Sequence, residues 1–226
     1  MTPAAFGATL PGAMFPFFPS PSLAAGYVLA CVLLAATPGA DMALFLSRTL
    51  AGGRWQGFVA QAGANAGLVV HTFAAALGLS ALLAASATAY QAVKIVGALY
   101  LLWLAYGALR HGTGLKLKAG NSGGGLRGAF LNGLLINLTN PKIVLFFVTF
   151  LPQFIDAGDP HAGAKLFVLG FGFIVITTIV NAVVILVAGR FVAAAKANPR
   201  ALRLFDYGFA ALMSAFALRL AWSETR

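Results

Sequence analysis

Six long apolar windows constrain what this chain can fold into. They run near Leu23 to Leu46, Gly57 to Leu83, Ala89 to Leu109, Gly128 to Leu151, Leu166 to Gly189 and Leu204 to Trp222. A helix needs about 20 mostly apolar residues to cross roughly 30 Å of hydrocarbon. Inside a bilayer the backbone must satisfy its own N–H and C=O groups, which only helices and closed barrels achieve. Barrel strands read as short stretches of alternating polarity, whereas these runs are continuous and rich in Leu, Ala, Val and Phe. The expected fold is all-α, a polytopic membrane protein with six transmembrane helices. Composition agrees: 60% of the residues are apolar, 9% are charged and the mean hydropathy is +0.89, well above a soluble domain.

The net charge of +10 matters less than where the charges lie. Ten of the 15 Lys and Arg fall in alternate loops: Arg48 and Arg54, then Arg110, Lys116, Lys118 and Arg127, then Arg190, Lys196, Arg200 and Arg203. The first 40 residues carry no charged side chain, and the link between windows four and five holds Asp156, Asp159 and Lys165. Basic loops stay cytoplasmic, so both termini are expected outside, in a bacterial inner membrane. The basic residues then set topology and contact anionic lipid, and no nucleic-acid partner is expected. Arg219, near the outer end of the sixth window, fits this pattern poorly.

Residues 1–22 hold five prolines and lack the basic start of a signal peptide; they read as a loose N-terminal extension before a transport domain over 23–226. Cys31 is the only cysteine, which excludes an intrachain disulfide. The Gly-rich stretch of about 111–127 reads as a flexible linker between two three-helix halves, about 23–110 and 128–222. An odd number of helices per half makes the second half enter the membrane in the opposite sense, giving two inverted repeats with helices one and four broken.

The breaks carry the chemistry. Helix one reads Thr37-Pro38-Gly39-Ala40-Asp41 and helix four reads Asn140-Pro141-Lys142. Proline removes a backbone donor and disrupts a helix interior at about 3 kcal/mol. Thr37 and Asn140 are suited to N-caps, with Pro38 and Pro141 at the favoured first helical position. Each break then starts a half-helix whose N–H groups and positive dipole end suit a carboxylate. Asp41 and Lys142 lie one to three residues past the prolines, where a charge in a spanning helix costs roughly 2.5–3.5 kcal/mol even on lenient scales. Both are expected to line one cavity, with Asp41 as proton carrier; a static ion pair or a snorkelling Lys142 is the plainer alternative.

On helix two, Gln61, Asn65 and Thr72 share a stripe beside Gly63, Gly67 and His71. Gly63 and Gly67 form a small-xxx-small pattern for close helix approach. Gln61 and Asn65 are candidate cavity residues, and His71 is either a proton relay or a buried, hydrogen-bonded histidine. Asn132, Asn137 and Asn181 are weaker candidates.

With these residues in view, the chain from about Leu23 onward resembles the lysine exporter family of amino-acid efflux transporters, which includes threonine, homoserine and leucine-type exporters. The resemblance rests on Thr37-Pro38-Gly39-Ala40-Asp41, the Gly-rich stretch from Gly57 to His71, Asn140-Pro141-Lys142 and Phe150-Leu151-Pro152-Gln153-Phe154. It implies export of amino acids or their analogues by proton antiport, a cavity near the two breaks, and a homodimer. Ala40 stands where the family pattern has a second Pro, which implies a less open first break.

The expected partners are a small-molecule amino acid, protons and membrane lipids, with no cofactor and no bound metal. In the expected mechanism the substrate carboxylate sits near Gly39 and Lys142 and its ammonium near Asp41. A metal-cation exporter is the alternative, short of ligands because only Asp41 and His71 lie at one depth. An enzyme is not expected, since no paired carboxylates, HExxH or Gly-x-Ser-x-Gly occurs.

Overall fold

Proline and close-packed glycine position the helices of this chain. The computed structural model describes residues 21–81, 87–111, 125–155 and 159–222, and every element in them is helical. The N-terminal extension up to residue 20, most of the Gly-rich linker and Asp156 lie outside the described residues. In order the elements are α1 (Pro21–Ala36), α2 (Ala40–Gly52), α3 (Arg54–Ala74), α4 (Ala87–His111), α5 (Gly125–Thr139), α6 (Pro141–Leu145), α7 (Ala162–Leu186), α8 (Ala188–Ala197) and α9 (Pro199–Trp222). α3 continues as a π turn over Ala75–Leu79, and α6 continues as a π turn over Phe146–Phe150 and a 3-10 turn over Leu151–Phe154.

Among the described residues the six apolar windows are helical apart from the two breaks and a turn at Val187. Among the described residues, Arg54–Leu79, Ala162–Leu186 and Arg200–Leu218 are each long and apolar enough to cross a membrane. Two helix pairs are long and apolar enough only when taken together, α1 with α2 and α5 through α6 to Phe154, and each pair bends by 51° at its proline. The apolar section of α4, Ile95–Arg110, is shorter than these. The first break, with Ala40 in place of a second Pro, bends as sharply as the second.

One helix was not expected. α8 folds inside the basic loop before α9 because its Ala-rich sequence is strongly helix-forming. Its Ala188 and Val192 pack with Met42, Leu46 and Val184, and so cover α2.

The largest interface is α3 on α5. A Cβ on Gly63 would lie 1.9 Å from the Phe130 carbonyl oxygen, and one on Gly133 would lie 2.0 Å from that of Ala60. Each helix therefore meets the other's backbone through a glycine, the contact that small residues permit between membrane helices. Gly67 serves differently: a Cβ there would lie 2.6 Å from Asn137 Oδ1, so its bareness admits a polar side chain. A second core forms where Phe146, Phe147, Phe150, Phe173 and Phe216 interlock with Tyr27 and α9. Their rings stack or meet edge to face at centroid distances of 4.1–6.3 Å.

Outside the spans, Asp159 accepts hydrogen bonds from Lys165 Nζ and, at 2.8 Å, from the His161 N–H. The Lys165 donor, foremost, holds the Asp159 carboxyl below the ordinary carboxylate range. A depressed acid stabilises the fold above its unfolded pKa and loses that contribution as pH falls through the folded one.

Gly133→Ala is expected to force α3 and α5 apart and to cost about 1–3 kcal/mol, as overpacking does. Gly107→Ala, where an added Cβ meets nothing within 4 Å, is the control. Thermal unfolding of the two variants in detergent checks the difference, and equal melting temperatures would contradict the contact.

Candidate functional site

The site is assembled from what the two prolines leave unsatisfied. α1 ends at Ala36, and the Thr37 N–H and hydroxyl both donate to Leu33 O, at 2.9 and 2.6 Å. Pro38 has no N–H, so Leu34 O loses its donor four residues on. Lys142, from the other half of the chain, takes that place: its Nζ donates to Leu34 O at 2.8 Å and to Thr37 O at 3.0 Å. An ammonium at the carbonyl end of a helix is also favoured by the helix dipole.

The second break is satisfied in the reverse direction. Asn140 is the N-cap of α6, its Oδ1 accepting from the Lys142 N–H at 3.0 Å with Pro141 at the first position. Pro141 deprives Asn137 O of its donor; the Asn140 N–H reaches it at 3.1 Å and His71 Nε2 lies 3.4 Å away. Asn140 Nδ2 then donates to Asp41 Oδ2 at 2.9 Å, and Asn137 Nδ2 does so at 3.3 Å. Asp41, in the first turn of α2, thus sits in the break of the second half while Lys142 sits in that of the first. They form no direct ion pair; each spends its charge on the other's break.

Asn140 and Pro141 match the expected cap, and Thr37 does not. The N-cap of α2 is Gly39, in extended conformation and without a side-chain cap. Thr37 is drawn to the carbonyl of Leu33 and closes α1 instead of opening α2. The first turn of α2 is consequently free of a side-chain lid, and an added Cβ on Gly39 would lie 3.6 Å from Lys142 Nζ.

These groups line one cavity of about 40 Å³, walled by Thr37, Gly39, Asp41, Asn65, Asn137, Asn140, Lys142, Thr177 and Asn181 and by apolar Leu34, Met42, Phe45, Leu68, Ile143 and Phe173. That is room for water molecules and not for an amino acid. Asp41 Oδ1 and Asn137 Oδ1 are buried without a hydrogen-bond partner.

The remaining candidates divide. Asn65 lines the cavity and its Nδ2 donates to Thr178 Oγ1 at 3.0 Å. Gln61 is buried but ties α3 to α7 by donating to Thr178 O at 2.8 Å. His71 is outside the cavity wall, half-buried and stacked on Phe147 at 5.6 Å. Pro38 and Pro141 shape the breaks without lining the cavity. Asn132 is exposed.

Sequence reasoning passed over Thr177 and Thr178, whose signal was a Thr-Thr pair one turn before Asn181 in an otherwise apolar window. It also passed over Asp206, 2% exposed on α9 and away from this cavity. An acid inside an apolar window was the signal there.

Apolar helices of spanning length, two bent apolar helix pairs and a cavity lined by charges exchanged between the breaks define a multi-pass membrane protein. The chain belongs to the LysE type translocator family, whose family model matches residues 32–224. It is 33% identical over 154 residues to a protein of Vibrio cholerae described as an uncharacterized membrane protein, covering 68% of this chain and 75% of that one. It is 30% identical over 145 residues to a leucine efflux protein of Enterobacter, covering 63% and 68%. Over 144 residues it is 31% identical to a leucine efflux protein of Salmonella choleraesuis, covering 63% and 68%. No solved structure matches the chain.

Asn140 carries two jobs that substitutions separate. Asn140→Ser keeps a capping oxygen but cannot reach Asp41, whereas Asn140→Ala loses both. The cap alone is worth about 0.5–2 kcal/mol, so the Ala variant is expected to melt below the Ser variant, and both below wild type, in a detergent thermal-shift measurement.

Proposed function

We propose that this chain exports amino acids from the bacterial cytoplasm in exchange for protons, through six spans arranged as two inverted repeats of about 23–110 and 128–222. The observation that carries the reading is the pairing of opposite needs in one cavity. Asp41 Oδ1 is a buried acceptor without a partner, and beside it lie the side-chain-free start of α2 at Gly39 and the Lys142 ammonium. A zwitterion complements both: its ammonium fits Asp41, and its carboxylate fits the α2 N-terminus and the third N–H of Lys142, two of which are engaged. The breaks, equal in bend and each holding a charged side chain from the other half, support the inverted arrangement, with basic loops cytoplasmic and both termini external. The leucine efflux proteins among the relatives support an amino acid as the cargo.

In this mechanism, ionised Asp41 holds the substrate ammonium. A proton arriving from outside neutralises the carboxylate and releases the substrate outward. The protonated, empty carrier then returns and delivers its proton inside. The broken helices act as hinges, and the cavity must widen from its present volume to admit cargo. Asn65, Asn137, Asn140 and Thr37 line the path, His71 braces the second break, and Gln61 holds α3 to α7. A metal-cation exporter has less support: among the described residues no group of three or more His, Cys, Asp or Glu gathers.

Leucine counterflow and proton flux in proteoliposomes test this, with lysine and threonine as further substrates. Asp41→Asn is expected to abolish proton coupling and to weaken substrate binding roughly ten- to hundredfold, as losing a hydrogen bond to a charged group of about 1.5–3 kcal/mol implies. Undiminished proton-coupled exchange in the variant would remove Asp41 from the mechanism. Absence of exchange with every amino acid tried would turn attention to cations.

A further inference from the structure

A helix that ends inside the hydrocarbon must have its last carbonyls satisfied, because an unpaired polar group there costs several kcal/mol. Thr37 serves Leu33 O. The donors to Leu34 O and Thr37 O come from Lys142, a residue 105 and more positions away. Two carbonyl oxygens converge on one nitrogen, 2.8 and 3.0 Å from it, at the negative end of α1. A primary ammonium suits such a place, being compact, fully charged and able to rotate three N–H donors onto its acceptors. A guanidinium is planar and wider, and a quaternary ammonium has no N–H to give.

The geometry points to the broken end of α1 as a binding seat for a primary ammonium group, filled in the closed protein by Lys142 as a tethered cation from the opposite half. The backbone of Lys142 is fixed by the Asn140 cap, and its stem runs beside Gly39, where an added Cβ would lie 3.6 Å from Nζ and 4.0 Å from Cδ. Filling the seat fastens the two breaks together, since four hydrogen bonds cross between them: two from Lys142, and one each from Asn137 and Asn140 to Asp41.

The consequence for transport rests on the amino-acid reading above. The α-ammonium of a substrate is the same chemical group as the end of Lys142. Leu34, Thr37 and Asp41 share one cavity wall, so an ammonium held near Asp41 can pass on into the seat, where it leaves no carbonyl unsatisfied. The displaced Lys142 then follows the substrate carboxylate, and the two bonds by which Lys142 fastens the breaks are released as cargo replaces it.

The seat can be tested without any transport. Lys142→Ala removes the three side-chain carbons beyond Cβ and the nitrogen, which together correspond to n-propylammonium. In detergent the variant is expected to melt lower than wild type and to regain most of the loss in excess n-propylammonium chloride, but not in tetramethylammonium chloride of equal ionic strength. Pro38→Ala restores the N–H that Leu34 O lacks, and so is expected to raise the melting temperature of Lys142→Ala more than that of wild type.

In a Cys31→Ser, Asn181→Cys background, Lys142→Ala is expected to increase maleimide labelling of the cavity, and n-propylammonium to reduce it. Wild-type melting of Lys142→Ala, recovery by both salts alike, or a loss that neither the amine nor Pro38→Ala recovers would overturn the seat. If Lys142→Ala is too unstable to purify, the double variant with Pro38→Ala must purify for the seat to stand. A seat that passes these tests in a protein exchanging no amino acid would sink the transport reading alone.

Discussion

Two missing N–H groups, at Pro38 and Pro141, are the constraint on which the rest of this structure depends. Each leaves a carbonyl of a buried residue, Leu34 or Asn137, without its helical donor. The chain answers at Leu34 O with Lys142 from the opposite half, and at Asn137 O with the Asn140 N–H and with His71 Nε2 3.4 Å away. Lys142 supplies hydrogen bonds to the first break, and Asp41 receives them in the second from Asn137 and Asn140. The cost of burying these charges is offset because each charge is hydrogen-bonded to groups that would otherwise be unsatisfied themselves. Removing either charge would therefore expose two deficits at once.

This exchange needs the halves to approach closely, and the glycines make that possible. Gly63 and Gly133 let α3 and α5 touch backbone to backbone, and Gly67 clears the volume that Asn137 occupies beside Asp41. Hydrophobic attraction contributes little between helices already surrounded by hydrocarbon, so close packing and polar contacts must hold them. The Gln61 and Asn65 contacts to Thr178 act in this way between α3 and α7. The aromatic cluster of Phe146, Phe147, Phe150 and Phe173 fills the space beyond the breaks, where α6 unwinds into π and 3-10 turns.

Membership of the LysE type translocator family places this arrangement among transporters. In the proposed mechanism the features that bear on transport belong to a few side chains on or beside the breaks. The fold contributes by bringing the two breaks into one cavity, with an acceptor oxygen of Asp41 left over.

The sequence by itself determined the all-helical, membrane-embedded character, the positions of the breaks and the residues that carry charge into the spans. Those properties follow from local covalent facts: run length, the missing proline N–H and residue charge. The Asn140 cap was legible for the same reason. Only the tertiary structure decided that Thr37 closes α1 while Gly39 opens α2, that Lys142 and Asp41 exchange breaks without pairing, and that Gln61 and His71 stand outside the cavity. It also brought in Thr177 and revealed α8. Such outcomes depend on which donor from a distant helix reaches a given carbonyl first. That is set by packing across more than 100 residues of chain, and no local pattern encodes it.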